Sequence, residues 1–161
     1  PKCYFSPIKY MNQPLSLRDT NLSDIDQLLV LIHDFYQHFG YPYTGLEKRL
    51  ALEELFERPT AGRIYLIEKD QKIVGYVFLS FYFSIEFGGR TAFIDELFVL
   101  PRDRGQGIGS RVIRLVEQKC VELNLKAIHL ESERTNERAT ALYSKLGFVD
   151  HNRRLMTKKL F

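Results

Sequence analysis

Residues 104–110, with the sequence Arg-Gly-Gln-Gly-Ile-Gly-Ser, carry three glycines at alternate positions between a strand-like run and a helix-like run. Glycine gives the main chain conformations that are closed to other residues, and it lets a ligand approach the backbone closely. The first amides of a helix have no partners within the helix and lie at the positive end of its dipole. The segment therefore predicts an anion site, and a phosphate fits it.

Two common phosphate-binding motifs fit this segment poorly. A dinucleotide-binding fingerprint needs its glycines directly after the strand and a glycine at the sixth position, whereas 101–104 intervene here and Ser110 holds the last place. A Walker loop needs Gly-Lys-Ser or Gly-Lys-Thr, whereas Gly109 and Ser110 are followed by Arg111. Taken alone, the loop is also compatible with a mobile glycine-rich turn that binds nothing.

Outward from the loop, the period of the apolar residues changes between that of strands and that of helices. Strands are expected at 15–18, 64–67, 73–83, 91–100, 126–130, 148–150 and 155–160. Helical apolar stripes are expected on Ile25, Leu28, Leu29, Ile32, Phe35, Tyr36 and Phe39, then on Leu46, Leu50, Leu55 and Phe56 after a Thr44–Glu47 capping box, then on Ile108, Val112, Ile113, Val116 and Cys120, with a last helix over 136–146. This order predicts an α/β or mixed α+β fold, with a mixed sheet and helices on both faces.

Composition limits the class of protein. The 161 residues are 45% hydrophobic with a formal net charge of +3, which predicts one globular domain over 1–161 with its core at about 15–160. No apolar run reaches the roughly 20 residues of a membrane span, and no cationic-then-apolar leader is seen, so a cytoplasmic protein without membrane contact is expected. Cys3 and Cys120 lie far apart without metal-ligand spacing, so no metal site is expected. The basic residues at 153–159 favour a solvated edge strand over a nucleic-acid surface.

Two motifs in order resemble one known superfamily. Arg104-x-x-Gly107-x-Gly109 after the strand at 93–99 resembles the acyl-coenzyme A loop of the GNAT N-acetyltransferases. The stretch 136–148 is similar to that superfamily's second signature, through Asn136, Ala139, Leu142, Tyr143, Lys145, Gly147 and Phe148. The resemblance implies a three-layer GNAT sandwich whose central sheet is mostly antiparallel and has about six to seven strands. It also implies acetyl-coenzyme A as cofactor and admits a homodimer paired through the C-terminal strands.

The resemblance also implies which residues hold the cofactor. Main-chain donors of the loop would hold the diphosphate, and the pantetheine arm would lie along the end of the fourth strand like an added strand. The cofactor-binding residues expected on this basis are Phe98, Val99, Leu100, Arg104, Gly105, Gln106, Gly107, Ile108, Gly109, Ser110, Asn136, Ala139 and Tyr143. A main-chain N–H near Phe98 would meet the oxyanion.

Transfer of an acetyl group to an amine also needs a base, because an alkyl amine titrates near about 10 and is protonated at neutral pH. Asp95 and Glu96 lie within an otherwise apolar strand directly before the loop, and Glu96 is preferred. A regular strand would present only one of them to the cleft, although a β-bulge would alter this. Glu131 and Glu133 are weaker candidates for the base. The structural alternative is that Asp95 and Glu96 are two solvated or salt-bridged acids without a catalytic role. By resemblance, Tyr143 would protonate the departing thiolate, although its spacing also suits a core tyrosine.

The acceptor pocket would, by resemblance, lie between the first two helices and the turn between the third and fourth strands. Residues expected to bind the acceptor are Tyr36, Tyr41, Phe83, Glu86, Arg90 and Glu131. Aromatic rings near carboxylates suit a cationic amine such as a polyamine, whereas Arg90 would select a carboxylate, as in an amino acid or a peptide terminus. The expected reaction is direct attack of a small-molecule primary amine on acetyl-coenzyme A in a ternary complex. The alternatives are a sensor that binds acyl-coenzyme A without turnover and an enzyme that acetylates a protein or peptide amine.

Overall fold

The structure, a computed structural model, describes residues 15–132 and 136–160, so that Cys3 and Glu133 lie outside the described residues. The chain divides into two compact units, Pro1–Leu130 and Glu131–Phe161. The first unit holds β1 (Leu15–Asp19), α1 (Ile25–Phe39), α2 (Gly45–Glu57), β2 (Gly62–Lys69), β3 (Lys72–Ser84), β4 (Gly89–Val99), α3 (Ile108–Glu122) and β5 (Ile128–Leu130); the second holds α4 (Glu137–Lys145).

The five strands form one mixed sheet in the order β1-β2-β3-β4-β5. The first four strands are antiparallel neighbours, and β5 runs parallel to β4 over only three residues, from Ala92 to Ile94. The sheet therefore follows the chain order, with α3 as the crossover that a parallel pair requires. The expected mixed, mostly antiparallel sheet is confirmed.

One face of the sheet is covered by α1 and α2. Ile64 and Leu66 of β2, Tyr76 of β3 and Phe98 of β4 form a buried cluster with these two helices. The α1 stripe is confirmed at most of its positions, and Gly40 ends the helix in the left-handed conformation, with φ of 68°. Phe39, expected in the stripe, is half exposed, because it lies in the last turn beyond the covered part of the sheet.

The second helix covers the sheet with a different face from the one expected. Leu46 and Leu50 are 67% and 55% exposed, whereas Leu52 is 5% exposed and belongs to the buried cluster. The side chain of Thr44 makes no capping hydrogen bond, so the expected capping box is not formed, although Thr44 is the residue before the helix. The apolar residues of α2 surround much of the helix, so their spacing did not define which side is buried.

The opposite face of the sheet is covered by α3. Tyr65 and Ile67 alternate with the residues of the first face, and both are fully buried. The Lys119 ammonium group of α3 lies 6.0 Å from the centroid of the Tyr65 ring and 3.8 Å from the carboxylate of Asp19. All five residues expected in the α3 stripe are buried. Within the first unit, helices on both faces are therefore confirmed.

The two closing strands expected at 148–150 and 155–160 are absent from the described residues, so the sheet has five strands rather than six or seven. Leu155 and Met156 are adjacent and both largely exposed, which breaks the period of two that a strand with one buried face needs. In the second unit, Asn136 begins α4 by accepting a hydrogen bond from the Ala139 N–H at 3.0 Å, and Gly147 follows the helix with φ of 90°.

Candidate active site

A β-bulge in β4 brings two carboxylates to one face of the sheet. Ile94 lies opposite Leu79 of β3 and Glu96 lies opposite the next residue, Phe78, so that Asp95 is an extra residue without a partner. Because directly opposed residues share a face, Ile94 lies on the α3 face and Glu96 on the α1/α2 face. The extra residue turns with Glu96, and both carboxylates line the same cavity. The sequence did not decide whether β4 contains a β-bulge, and the structure has one.

The cavity lies between α1, α2 and the sheet and has a volume of about 340 Å³. Its walls are mainly apolar, and its polar groups are those of Tyr36, Lys48, Glu54, Arg58 and the acid pair. The apolar lining residues are Ile32, Ala51, Leu52, Leu55, Ala61, Ile64 and Phe78. An apolar cavity with a few convergent polar groups is the usual form of a small-molecule site.

The Glu96 carboxylate is set among tyrosine hydroxyls. The Tyr76 hydroxyl donates a hydrogen bond of 2.7 Å to Glu96 Oε2, and Tyr76 is fully buried. Burial raises the pKa of Glu96, and the negative charge of Asp95 acts in the same direction. The hydroxyls of Tyr76 and Tyr36 and the charge of Lys48 oppose this and lower it, so the net effect is a raised pKa. Burial, and after it the proximity of Glu96, raises the pKa values of Tyr36 and Tyr76, so both phenols keep their protons at neutral pH.

Asp95 and Lys48 complete the polar end of the cavity. The Asp95 side chain is exposed at the mouth, and loss of hydration raises its pKa. Lys48 reaches in from α2 with its ammonium nitrogen 4.5 Å from the centroid of the Tyr36 ring. A carboxylate whose pKa is raised toward neutrality is a suitable general base.

The glycine loop begins α3 with an open main chain. Gly105 and Gly107 have φ of 81° and 69°, a conformation that other residues adopt only with strain. Gly109 has no such φ, and a Cβ built on it would meet no atom within 4 Å. The fold therefore gives no reason for a glycine at this position, whereas a ligand lying against the helix start does. The space beside the free amides of 108–110 fits a phosphate group.

Side chains around the loop are already engaged. Arg104 Nε donates to the Val99 carbonyl at 2.8 Å, and its guanidinium lies 5.4 Å from the centroid of the Phe98 ring. Lys69 Nζ donates to Gln106 Oε1 at 2.6 Å, which adds a cation beside the loop. Because the Leu100 N–H donates to the Val74 carbonyl of β3, the Val99 carbonyl lies on the other side of β4. No described strand pairs with the end of β4 on that side, since β5 pairs only as far as Ile94, and Arg104 occupies the Val99 carbonyl. That side of β4 is where the resemblance expects the pantetheine arm, at 98–100.

Several expected residues belong to the second unit and are described within it. Asn136 and Ala139 form the first turn of α4, and burial raises the pKa of Tyr143, whose ring contacts Phe148 with centroids 5.8 Å apart. Glu131 is exposed in the segment before α4. Their roles in binding and catalysis stay predictions.

The residues expected to bind the acceptor do not all line the cavity. Tyr36 does, and Tyr41 contacts the Tyr36 ring with centroids 5.9 Å apart. Phe83 is 71% exposed at the end of β3, and Glu86 lies in the turn that follows. Arg90 donates to the Leu123 carbonyl at 3.3 Å and lies 5.8 Å from the Phe81 ring centroid, so its guanidinium is held at the other end of β4.

Four polar residues of the site were missed by the sequence reasoning. Lys48, Glu54 and Arg58 line the cavity from α2 and its end, and Tyr76 bonds to the base from the neighbouring strand. A signal for the first existed, because 48, 51, 52 and 55 share one helical face. A lysine is normally expected to be exposed to solvent, so Lys48 was not assigned to the buried face of the helix. Tyr76 gave no signal, since a tyrosine in a buried strand is ordinary.

Neither a bilayer-spanning helix nor a metal-holding cluster is found within the described ranges. No described helix has the length and apolar character of a bilayer span. Over the same residues, no group of three or more His, Cys, Asp or Glu side chains is arranged to hold a metal ion.

Comparison with known proteins identifies relatives of the chain. Residues 28–148 match the family model described as the acetyltransferase (GNAT) family. A thialysine N-epsilon-acetyltransferase of Bos taurus is 35% identical over 78 residues, which are 48% of this chain and 45% of the bovine enzyme; the aligned segment thus spans about half of each. A putative ribosomal protein bS18-alanine N-acetyltransferase of Bacillus subtilis is 29% identical over 137 residues, covering 85% of this chain and 82% of the relative.

A similar fold is found in a solved structure. An integron cassette protein from the mobile metagenome of the Cole Harbour salt marsh superposes with a TM-score of 0.79 and 32% sequence identity. The match covers 91% of each chain. The likeness therefore extends beyond the segment aligned with the bovine relative.

Proposed function

This chain is an acyltransferase of the GNAT acetyltransferase family, whose members generally use acetyl-coenzyme A, and we propose that its acceptor is the primary amine of a small molecule. The amine would attack the thioester carbonyl directly in a ternary complex, so that the C–N bond forms as the C–S bond breaks and the thiol leaves. The observation that carries the proposal is the cavity of about 340 Å³ with the acid pair at its sheet end. Its volume is near the lower end of the roughly 300–1,000 Å³ of small-ligand sites, which favours a small acceptor.

Glu96 is proposed as the base. The acceptor amine arrives protonated, because a free alkyl amine titrates near about 10. The raised pKa of Glu96 brings its basicity closer to neutrality, so it accepts the ammonium proton directly or through one water molecule. Asp95, exposed at the mouth of the same cavity, attracts the cationic form of the acceptor before it is deprotonated.

The glycine loop and the end of β4 are proposed to hold the cofactor. Acetyl-coenzyme A supplies an activated acetyl group when it is bound. The free amides of 108–110 would hold its diphosphate, and the open space at Gly109 supports this assignment. Tyr143 supplies the proton that the departing sulfur needs, an assignment that rests on the resemblance. Because burial raises the pKa of Tyr143, its phenol holds that proton at neutral pH.

The experiment is a panel of primary amines with acetyl-coenzyme A, in which released thiol is measured. Glu96→Gln is expected to lower kcat/KM by about a hundredfold or more, as loss of a general base does. Glu57→Gln, on the exposed end of α2, is the matched control and keeps the wild-type rate. A wild-type rate in Glu96→Gln would refute the base assignment. Tight cofactor binding without turnover of any amine would replace the enzyme proposal with the sensor.

A peptide amine is the second acceptor tested. The Bacillus subtilis relative is named for an alanine of a ribosomal protein, so a peptide with N-terminal alanine belongs in the panel. If its kcat/KM exceeds that of every small amine, the small-molecule proposal is wrong and the acceptor is a polypeptide.

A further inference from the structure

The charges that line the cavity are of both signs. Arg58 and Glu54 form an ion pair of 2.9 Å at the rim, where both side chains are mostly exposed, so their charges cancel. The remaining charged groups are the acid pair on the sheet side and the Lys48 ammonium group on the helix side. An acceptor therefore meets carboxylates on the sheet side of the cavity and an ammonium group on the helix side.

Lys48 is held inside the cavity without a carboxylate of its own. In the described part of the chain, its ammonium group forms no ion pair within 4.0 Å and rests over the Tyr36 ring. An aromatic face attracts a lysine ammonium group but accepts no ordinary hydrogen bond from it. The N–H donors of the ammonium group therefore stay available to a ligand. Lys48 is thus a half-buried cation directed at the space that the acceptor would occupy.

The two charged ends are close together. Tyr36 contacts both, because its hydroxyl interacts with Glu96 while its ring face carries the Lys48 ammonium group. Acceptor groups at these two points would both lie beside the Tyr36 side chain. The rest of the lining that such an acceptor would meet is apolar and comes from Leu52, Ile64 and Phe78 among others.

We infer that the acceptor is an α-amino acid with an apolar side chain, whose amine lies at Glu96 and whose carboxylate is bound by Lys48. This inference rests on the proposed function and names the substrate class of the same cavity. Lys48 is then a specificity-determining residue that selects an acceptor with a carboxylate over a polyamine.

The test compares three acceptors that share one side chain and differ in the carboxylate, together with a diamine. L-leucine, L-leucinamide, 3-methylbutylamine and putrescine are assayed with acetyl-coenzyme A and wild type, Lys48→Met, Lys48→Arg and Lys126→Met. The informative quantity is the ratio of kcat/KM for leucine to that for leucinamide, compared between variants, because the intrinsic reactivity of each amine cancels. Lys126, whose Nζ donates to Asn124 Oδ1 at 2.8 Å, does not line the cavity and is the matched control.

The ratio is expected to fall by about tenfold in Lys48→Met, to survive in Lys48→Arg and to stay unchanged in Lys126→Met, as for loss of one close charge pair. Leucine is also expected to raise the unfolding temperature of the cofactor-free wild type more than that of Lys48→Met. An unchanged ratio, or putrescine as the best acceptor of the wild type, would overturn the inference while the proposed function stands. If none of the amines in either panel releases thiol, both fall together.

Discussion

Removing the Tyr76 hydroxyl should move the pH dependence of catalysis in a direction that the site geometry fixes. In the wild type this hydroxyl donates a 2.7 Å hydrogen bond to the Glu96 carboxylate and so stabilises its charged form. Tyr76→Phe removes that stabilisation, which raises the pKa of Glu96 further. The acidic limb of kcat/KM, on which the base becomes protonated, then moves to higher pH.

The size of the change follows from the strength of the hydrogen bond. Hydrogen bonds to charged groups contribute about 1.5–3 kcal/mol, and about 1.4 kcal/mol corresponds to one pH unit. The Tyr36 hydroxyl and the Lys48 charge remain and compensate in part, so an upward movement of about one pH unit is expected. The assay is thiol release from about pH 5 to 9 at subsaturating acceptor, with the acceptor's own titration near about 10 common to all variants.

Tyr65→Phe is the matched control for this measurement. Tyr65 is a fully buried tyrosine of the same sheet, but it lies on the face covered by α3 and does not line the cavity. Its variant should keep the wild-type acidic limb. A limb in Tyr76→Phe that stays in place, or that moves to lower pH, would show that Glu96 is not the group whose protonation controls the rate.

Three further measurements bear on the site. Gly109→Ala should raise the Kd of coenzyme A, measured by calorimetry, by about tenfold or more, because the methyl group takes the space of a phosphate. The unfolding temperature should stay level or rise, since alanine favours a helix over glycine by about 1 kcal/mol. Unchanged binding would show that the loop is not part of the cofactor site. The pKa of Glu96 is raised in the folded state, so the stability of the wild type falls as the pH rises through that pKa. Glu96→Gln should therefore unfold a few degrees higher than the wild type at pH 8, and this difference should vanish below about pH 4. A variant that is less stable than the wild type at pH 8 contradicts this. Tyr143→Phe should lower kcat by about a hundredfold with little change in the KM of acetyl-coenzyme A, and full activity would exclude it as the acid.

Sequence patterning predicted the elements whose burial follows a strict period. The stripes of α1 and α3 and the hairpin of β2 and β3 are of this kind, because each element buries one regular face against the sheet. The glycine loop was also located, since Gly105 and Gly107 need a backbone conformation that few residues adopt.

The rest depends on contacts that single-residue patterns do not encode. The bulge at Asp95 is a mismatch between two strands, so neither strand alone reveals it. The face of α2 that covers the sheet includes Lys48, and apolar periodicity cannot select a stripe that contains a charge. The strand expected at 155–160 rested on alternation, which the adjacent and largely exposed Leu155 and Met156 do not keep, and the described sheet does not include it.

Asp95, the extra residue of the bulge in β4, is needed by the proposed chemistry but not by the pairing of the strands. Pairing with β3 is kept on both sides of Asp95, and Glu96 would keep its place opposite Phe78 if the strand were one residue shorter. Loss or gain of a single codon at this point could therefore remove or restore the second carboxylate without rebuilding the sheet. Natural length variants of this strand would then differ in how they attract the acceptor and would share one deprotonating group.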